Sequence, residues 1–77
     1  MIHAGHLIEQ TLREQRHSVP WLAEQLCCHR TNIYRLFHKE NIDIVLMYRI
    51  GLALHCNLFE VYVDALNEEM SATPTSD

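Results

Sequence analysis

Apolar residues recur at the spacing of an α-helix in five segments of the chain, and no segment alternates like a β-strand. In the first three segments the apolar side chains lie three or four positions apart, which gathers them on one face. These stripes are Ala4, Leu7, Ile8, Thr11 and Leu12; Val19, Leu22, Ala23, Leu26 and Cys27; and Ile33, Leu36 and Phe37. The pattern predicts an all-α protein built from five short helices.

Two capping residues predict where helices begin. Ser18 precedes the second segment as an N-cap, and Pro20 lies in the first turn, where its missing N–H costs nothing. Asp43 is the N-cap of a fourth helix that runs to Leu54. The face of this fourth helix that is predicted to be buried consists of Met47, Ile50, Gly51 and Leu54.

A fifth helix is predicted to begin after Asn57. Its apolar stripe consists of Leu58, Val61, Tyr62, Ala65 and Leu66. From Asn67 onward no stripe continues and small polar residues become frequent. The sequence therefore predicts a helical domain over residues 1–66, followed by a flexible C-terminal tail over residues 67–77.

The composition is that of one small globular domain. The chain has 77 residues, of which 48% are hydrophobic and 21% charged. No basic run with an apolar stretch after it marks a signal peptide, and Arg49 interrupts the longest apolar stretch. We expect a soluble, cytoplasmic protein without a membrane partner.

The chemistry-bearing residues do not form a known catalytic or metal-binding pattern. The three cysteines, Cys27, Cys28 and Cys56, are odd in number, which fits free thiols better than a disulfide framework. The neighbouring histidines do not give zinc-ligand spacing, so we expect no metal. No catalytic triad, glycine-rich phosphate loop or apolar carboxylate pair is present. We expect a protein that is not an enzyme and has no cofactor or small-molecule ligand.

Charge is distributed unevenly. Residues 1–50 hold six basic and five acidic side chains, a net charge of +1, whereas residues 51–77 hold five acidic side chains and no basic one. The total is the formal net charge of −4. Three of the cations, Arg30, Arg35 and Lys39, lie in one short segment around the third helix. Such asymmetry is compatible with a nucleic-acid surface on the first part of the chain.

The third helix is predicted over residues 30–38, with a polar face opposite its buried stripe. Thr31, Arg35 and His38 lie opposite the stripe, and the flanks carry Asn32, Tyr34 and Lys39. Only two or three residues separate this helix from the second one. Such a short connection is typical of a helix-turn-helix, in which the second helix of the pair enters the major groove of DNA.

From about Gly5 to Leu66 the sequence resembles the phage-repressor and Cro family of helix-turn-helix proteins, often called the XRE type. The resemblance rests on the cap Ser18, the pair Leu22-Ala23, the apolar residues Leu26, Cys28, Ile33 and Leu36, and the segment IGLALHCNLFEV. The chain departs from the family pattern at Cys27 and His55, where the family has glycine. It also has Val19 in place of a polar residue, and Phe37 and Lys39 in place of Glu and Gly.

This resemblance implies a compact five-helix, lambda-repressor-like fold that binds double-stranded DNA in the nucleoid. Base contacts are then expected from Thr31, Asn32 and Arg35. Backbone contacts are expected from Ser18, Arg30, Tyr34, His38 and Lys39. For Trp21, in the first turn of the second helix, we expect a partly buried ring that closes the core.

The last two helices are apolar on more than one face. Val45, Tyr48 and Leu52 point away from the buried face of the fourth helix, and Phe59 and Val63 lie off the stripe of the fifth. A helix that is apolar on two faces needs cover on both. These five residues predict a homodimer interface.

Two other functions fit the same pattern. A protein-binding adaptor of the same fold would use the exposed apolar face, and the acidity of the chain, Val19 and the missing turn glycine favour it. A DNA-binding antitoxin would neutralise a partner toxin, but no long toxin-wrapping segment follows Asn67. The principal prediction is a sequence-specific, homodimeric transcriptional regulator.

Overall fold

A computed structural model describes residues 2–72 and confirms the all-α prediction: these residues form five helices and no strand. The helices are α1 (Ala4–Glu14), α2 (Val19–Gln25), α3 (Arg30–Phe37), α4 (Ile44–Leu54) and α5 (Glu60–Ala72). Among these described residues, no helix combines the length and the apolarity that a membrane crossing requires.

Side-chain caps fix the beginnings of three helices. Ser18 Oγ and Asp43 Oδ2 each accept a hydrogen bond from the backbone N–H three residues further on, both at 3.1 Å. Both predicted N-caps are therefore confirmed. His3 Nδ1 does the same for α1, also at 3.1 Å. Each cap satisfies one of the N–H groups that a helix leaves unpaired in its first turn.

Three helices end on a residue other than glycine in the left-handed conformation. Arg16 follows α1 with φ 60°, Cys27 follows α2 with φ 55°, and His55 follows α4 with φ 50°. After each, the next N–H reaches back to the last full turn; the Cys28 N–H, for example, donates to the Ala23 carbonyl at 2.9 Å. This is the usual hydrogen-bond pattern for ending a helix, and it normally employs glycine because a Cβ is strained there.

One core joins the first four helices and the turn before α5. Its five largest fully buried side chains come one from each of these elements: Ile8, Leu22, Ile33, Ile50 and Leu58. The predicted stripe of α3 is confirmed, because Ile33, Leu36 and Phe37 are all buried. The buried positions of α4 are Met47, Ile50 and Leu54, as predicted, while Gly51 is half-buried.

The start of α1 packs directly on the backbone at the end of α3. The Gly5 N–H donates to the Lys39 carbonyl at 2.8 Å. A Cβ at position 5 would lie 2.4 Å from the carbonyl oxygens of both Leu36 and Phe37, which is far inside van der Waals contact. Only glycine allows this approach, so α1 holds the C-terminal end of α3 in place.

A side-chain hydrogen bond joins the ends of α1 and α4. Gln15 Nε2 donates to the Leu54 carbonyl at 2.8 Å, in a partly buried setting. The last carbonyls of a helix have no partner within it. Gln15 therefore satisfies one of them and ties α4 to the α1–α3 unit.

The fifth helix differs from its prediction in burial and in length. None of its residues is buried, and Val61 and Leu66 of the predicted stripe are exposed. The stripe prediction is wrong at these two positions, because α5 meets the core mainly through Leu58 in the preceding turn and through half-buried Tyr62. The core of this small domain offers too little surface to cover a whole face of α5.

The helix also continues to Ala72, whereas its predicted end was Leu66. The predicted end is therefore wrong. Once a helix has formed, each added residue gains a hydrogen bond and fixes only its own two dihedral angles, so the helix can extend without a packed face. Residues 73–77 of the predicted tail lie outside the described residues.

Candidate nucleic-acid interface

The second and third helices form a tightly joined pair. Residues 26–29 connect them, α2 packs against α3, and α1 packs against α3 from another side. Leu22 and Ala23 of α2 share the buried core with Ile33 of α3. The left-handed conformation of Cys27 allows the chain to reverse within this short connection. The outcome is a helix-turn-helix arrangement in which one face of α3 remains open to solvent.

All eight predicted DNA-contacting side chains are exposed. They are Ser18, Arg30, Thr31, Asn32, Tyr34, Arg35, His38 and Lys39. Their exposure leaves hydroxyl, amide and cationic groups of the α2–α3 pair available to a partner. The buried residues of α3 are its apolar ones alone.

The cations of this surface belong to no salt bridge between described residues. No Asp or Glu occurs between Gln25 and Lys39. Between described residues, the single salt bridge joins Arg13 to Glu9 within α1, at 2.9 Å. The cations around α3 therefore attract anions from solution, since unpaired charges of one sign sum into a local potential.

A depression of about 340 Å³ lies between α3 and α4. Asn32, Arg35 and Lys39 line it from the α3 side, and Arg49 lines it from α4. Its apolar lining consists of Leu26, Leu36 and Leu46, together with Cys28. The structure thus brings three predicted contacts together with an arginine that was not predicted to take part.

The sequence did contain a sign that Arg49 is placed unusually. It is the only charged residue of α4, in an otherwise apolar or uncharged helix. It follows Leu46 by three positions, so the two share a helix face. Periodicity identified the buried face of α4, but it could not show that Arg49 turns toward α3.

The other predicted contacts lie outside this depression. Tyr34 is about half exposed, and its ring meets that of Phe37 edge-on, with centroids 6.2 Å apart. Ser18 lies at the start of α2, where its oxygen already caps the helix. The Ser18 hydroxyl keeps its own O–H to donate. Arg30, Thr31 and His38 complete the exposed surface.

Trp21 closes the core beside the helix-turn-helix, as predicted. Its ring is partly buried and packs against the core. The imidazole of His17 stacks on it almost in parallel, with ring centroids 3.6 Å apart and an interplanar angle of 7°. This pair fixes the turn between α1 and α2 near the Ser18 cap.

The cysteines are free thiols, with Cys27 exposed and the other two half-buried. Over residues 2–72, no three side chains of His, Cys, Asp or Glu converge where they could hold a metal ion. The adjacent Cys27 and Cys28 differ in exposure because the left-handed residue turns the chain between them.

A second exposed surface, the apolar face of α4 and α5, contains the predicted dimer residues. Val45, Tyr48, Leu52 and Val63 are each more than half exposed, and Phe59 is half-buried against the core. A depression of about 430 Å³ joins Tyr48 and Leu52 to Phe59. Two further exposed residues, Leu66 and Met70, extend the α5 row at helical spacing.

Comparisons of the chain with protein-family models, with curated proteins and with solved structures find no match.

Proposed function

We propose that the protein is a sequence-specific regulator of transcription that binds double-stranded DNA in the nucleoid as a homodimer. One observation carries this proposal: the exposed face of α3 combines cations, an amide and a hydroxyl, with no carboxylate in the helix. Nucleic acid is the common partner that needs both positive charge and directed hydrogen bonds on one helix face.

The base-reading role belongs to the residues whose chemistry distinguishes bases. The planar guanidinium of Arg35 can donate two hydrogen bonds to the acceptors of guanine in the major groove. The Asn32 amide can both donate to and accept from adenine, and Thr31 offers a hydroxyl and a methyl group. All three are exposed on α3.

The phosphate-binding role belongs to the surrounding donors. Arg30, Lys39 and His38 supply positive charge or N–H groups, and Ser18 and Tyr34 supply hydroxyl groups. Each neutralised phosphate releases a counterion, so affinity falls as salt rises. The net charge of −4 does not oppose this role, because residues 51–77 carry the acidic excess and α3 does not.

Homodimerisation is the part of the proposal that the apolar face of α4 and α5 supports. Burying the exposed side chains of Val45, Tyr48, Leu52 and Val63 against a second copy removes apolar area from water, at about 25 cal/mol for each Å². A two-fold dimer also presents two α3 helices, and an inverted-repeat DNA site matches that symmetry.

A protein-binding adaptor is the second candidate, and the row that continues beyond Val63 favours it. Leu66 and Met70 are more than half exposed on a helix with Glu60, Asp64 and Glu68 and no base. An acidic helix with an apolar row can enter an apolar groove of another protein. In that case the cations of α3 have no recognition role.

The test is selection of bound sequences from random duplex DNA, performed at low and at physiological salt. A regulator enriches an inverted repeat that survives the higher salt concentration. Binding that disappears at the higher salt without enrichment indicates charge attraction alone. No enrichment at either salt concentration contradicts the proposal and favours the adaptor.

A further inference from the structure

We infer that the depression between α3 and α4 is a phosphate-binding site in which Arg49 and Lys39 hold one phosphate of the DNA backbone. This inference rests on the proposed function, and it adds a contact from α4 to those of the helix-turn-helix. The depression opens beside the exposed face of α3 and is lined by cations from both sides.

The first reason is the concentration of like charge. Arg35, Lys39 and Arg49 line the same depression, and no carboxylate lines it. None of the three belongs to a salt bridge between described residues. Three cations around one small space repel one another, and an anion bound between them attracts all three and offsets that repulsion.

The second reason is the lining. Leu26, Leu36 and Leu46 line the same depression, and the first two are buried in the core. Apolar walls of low dielectric strengthen the field of charges beside them. Arg35, Lys39 and Arg49 are themselves exposed, so water and salt still screen them in part, and the apolar walls add to their attraction for an anion.

The third reason is the match between the donors and a phosphate. Arg49 offers a planar fork that binds two phosphate oxygens at once, and Lys39 offers a compact ammonium group. Asn32 adds an amide N–H at the edge of the depression. Arg35 also lines the depression and is exposed, and we assign it to base recognition while Lys39 and Arg49 hold the backbone.

This contact would fix the angle at which α3 enters the groove. Phosphate contacts determine the register and orientation of a protein on the duplex. A second phosphate contact, made from α4 by Arg49, opposes rotation of α3 about its own axis in the groove. Arg49 is therefore a positioning residue for base recognition, in addition to a source of affinity.

The experiment pairs single phosphate neutralisations with single substitutions. Each phosphate of the selected site is replaced in turn by an uncharged methylphosphonate, and binding is measured for the unchanged protein, Arg49→Gln and Arg13→Gln. Arg13→Gln is the control for the loss of one exposed arginine charge, because Arg13 lies in α1, away from the depression; its exposed salt bridge with Glu9 contributes little to stability.

We expect one phosphate per half-site whose neutralisation weakens the unchanged protein about tenfold and has little further effect on Arg49→Gln. Arg13→Gln should respond like the unchanged protein. Arg49→Lys should keep the salt dependence but bind more weakly, because it retains the charge and loses the fork. If Arg49→Gln loses affinity equally at every phosphate position, or loses none, the inference is overturned.

A separate measurement applies if the unchanged protein binds no duplex DNA at any salt concentration, which contradicts the proposed function. Inorganic pyrophosphate is then titrated while the arginine Nε signals are followed by NMR. A saturable shift at Arg49 that Arg49→Gln abolishes, with Arg13 unaffected, assigns the depression to a free phosphate compound. Absence of a saturable shift overturns the phosphate site as well.

Discussion

The outer face of α3 and the outer face of α4 and α5 are both exposed but differ in the free energy that their exposure costs. On α3 the exposed groups are cations, an amide and hydroxyls, which water solvates well. On α4 the exposed groups include Tyr48 and Leu52, each about 60% exposed. Apolar area in water is unfavourable. The α3 face is therefore stable alone, whereas the α4–α5 face gains free energy from any apolar partner.

The two faces also differ in the sign of the charge near them. Arg30, Arg35 and Lys39 surround the first face, and Glu60, Asp64 and Glu68 lie on α5 beside the second. A polyanion is attracted to one end of the molecule and repelled by the other. Under the proposed function, the acidic residues of α5 would direct a nucleic acid toward α3 and leave the apolar face for the second copy of the chain.

The largest expected effect comes from a substitution that destabilises the whole fold, and with it both exposed faces. Gly5→Ala should destabilise the fold by about 3 kcal/mol or more, because the new Cβ would overlap two backbone carbonyls at the end of α3. Gly51→Ala is the matched control, since its Cβ would meet one carbonyl oxygen, that of Cys56, at 2.9 Å. Urea denaturation should show the smaller loss for the control. Equal losses would mean that α1 does not hold α3 in the way described.

The next effect concerns the α3 face alone. Arg35→Ala should lower discrimination between the selected site and scrambled DNA by about 1–3 kcal/mol, because a bidentate pair with guanine is lost. Lys39→Ala should weaken binding to both DNAs alike and reduce the salt slope by about one unit, because an ammonium group reads charge. Binding across a salt series separates the two. If Arg35→Ala weakens both DNAs equally, α3 is not the reading helix.

A third effect concerns the α4–α5 face alone. Leu52→Glu should weaken self-association at least about tenfold, roughly 1.4 kcal/mol, because it places a charge where apolar contact is expected. Val61→Glu is the control, since Val61 is also an exposed apolar residue but lies on the other side of α5 from Phe59 and Val63. Sedimentation at micromolar concentration measures both. A monomer before any substitution would refute the dimer outright.

The smallest effect leaves both faces unchanged. Cys27→Gly should stabilise the fold by about 1 kcal/mol, because Cys27 has a φ of 55°, which strains any side chain with a Cβ. Cys27→Ser keeps the Cβ and should gain nothing. Thermal denaturation compares the two. His55→Gly should gain less, since histidine is enriched in this conformation.

The sequence predicted the parts of the fold that depend on local chemistry. The caps Ser18 and Asp43 were identified because short polar side chains before apolar stripes have one principal use. The buried face of α3 was correct because a 3.6-residue period constrains all three of its apolar positions together. Caps and helix periodicity depend on residues close together in sequence, and not on contacts with distant parts of the chain.

The features that were missed depend on distant neighbours. The close approach at Gly5 involves residues 36, 37 and 39, and the sequence around Gly5 does not predict it. The position of Arg49 at the same depression as Lys39 depends on how α4 lies beside α3. The exposure of Val61 and Leu66 depends on how little core surface remained for α5.

The DNA contacts, the dimer and the regulatory role remain predictions, since exposure alone does not identify a partner.

The contact between Gly5 and the end of α3 has a consequence for synthesis on the ribosome. The first helix leaves the exit tunnel early, but the carbonyl of Lys39 to which its N–H donates is made only after two further helices. Until then α1 has no backbone to dock on, and its apolar stripe is open to chaperones and proteases. Limited proteolysis of stalled nascent chains should cut within α1 until residue 40 has emerged, and then stop. Of the five helices, α1 is made first, but it would dock only after α3 has been completed.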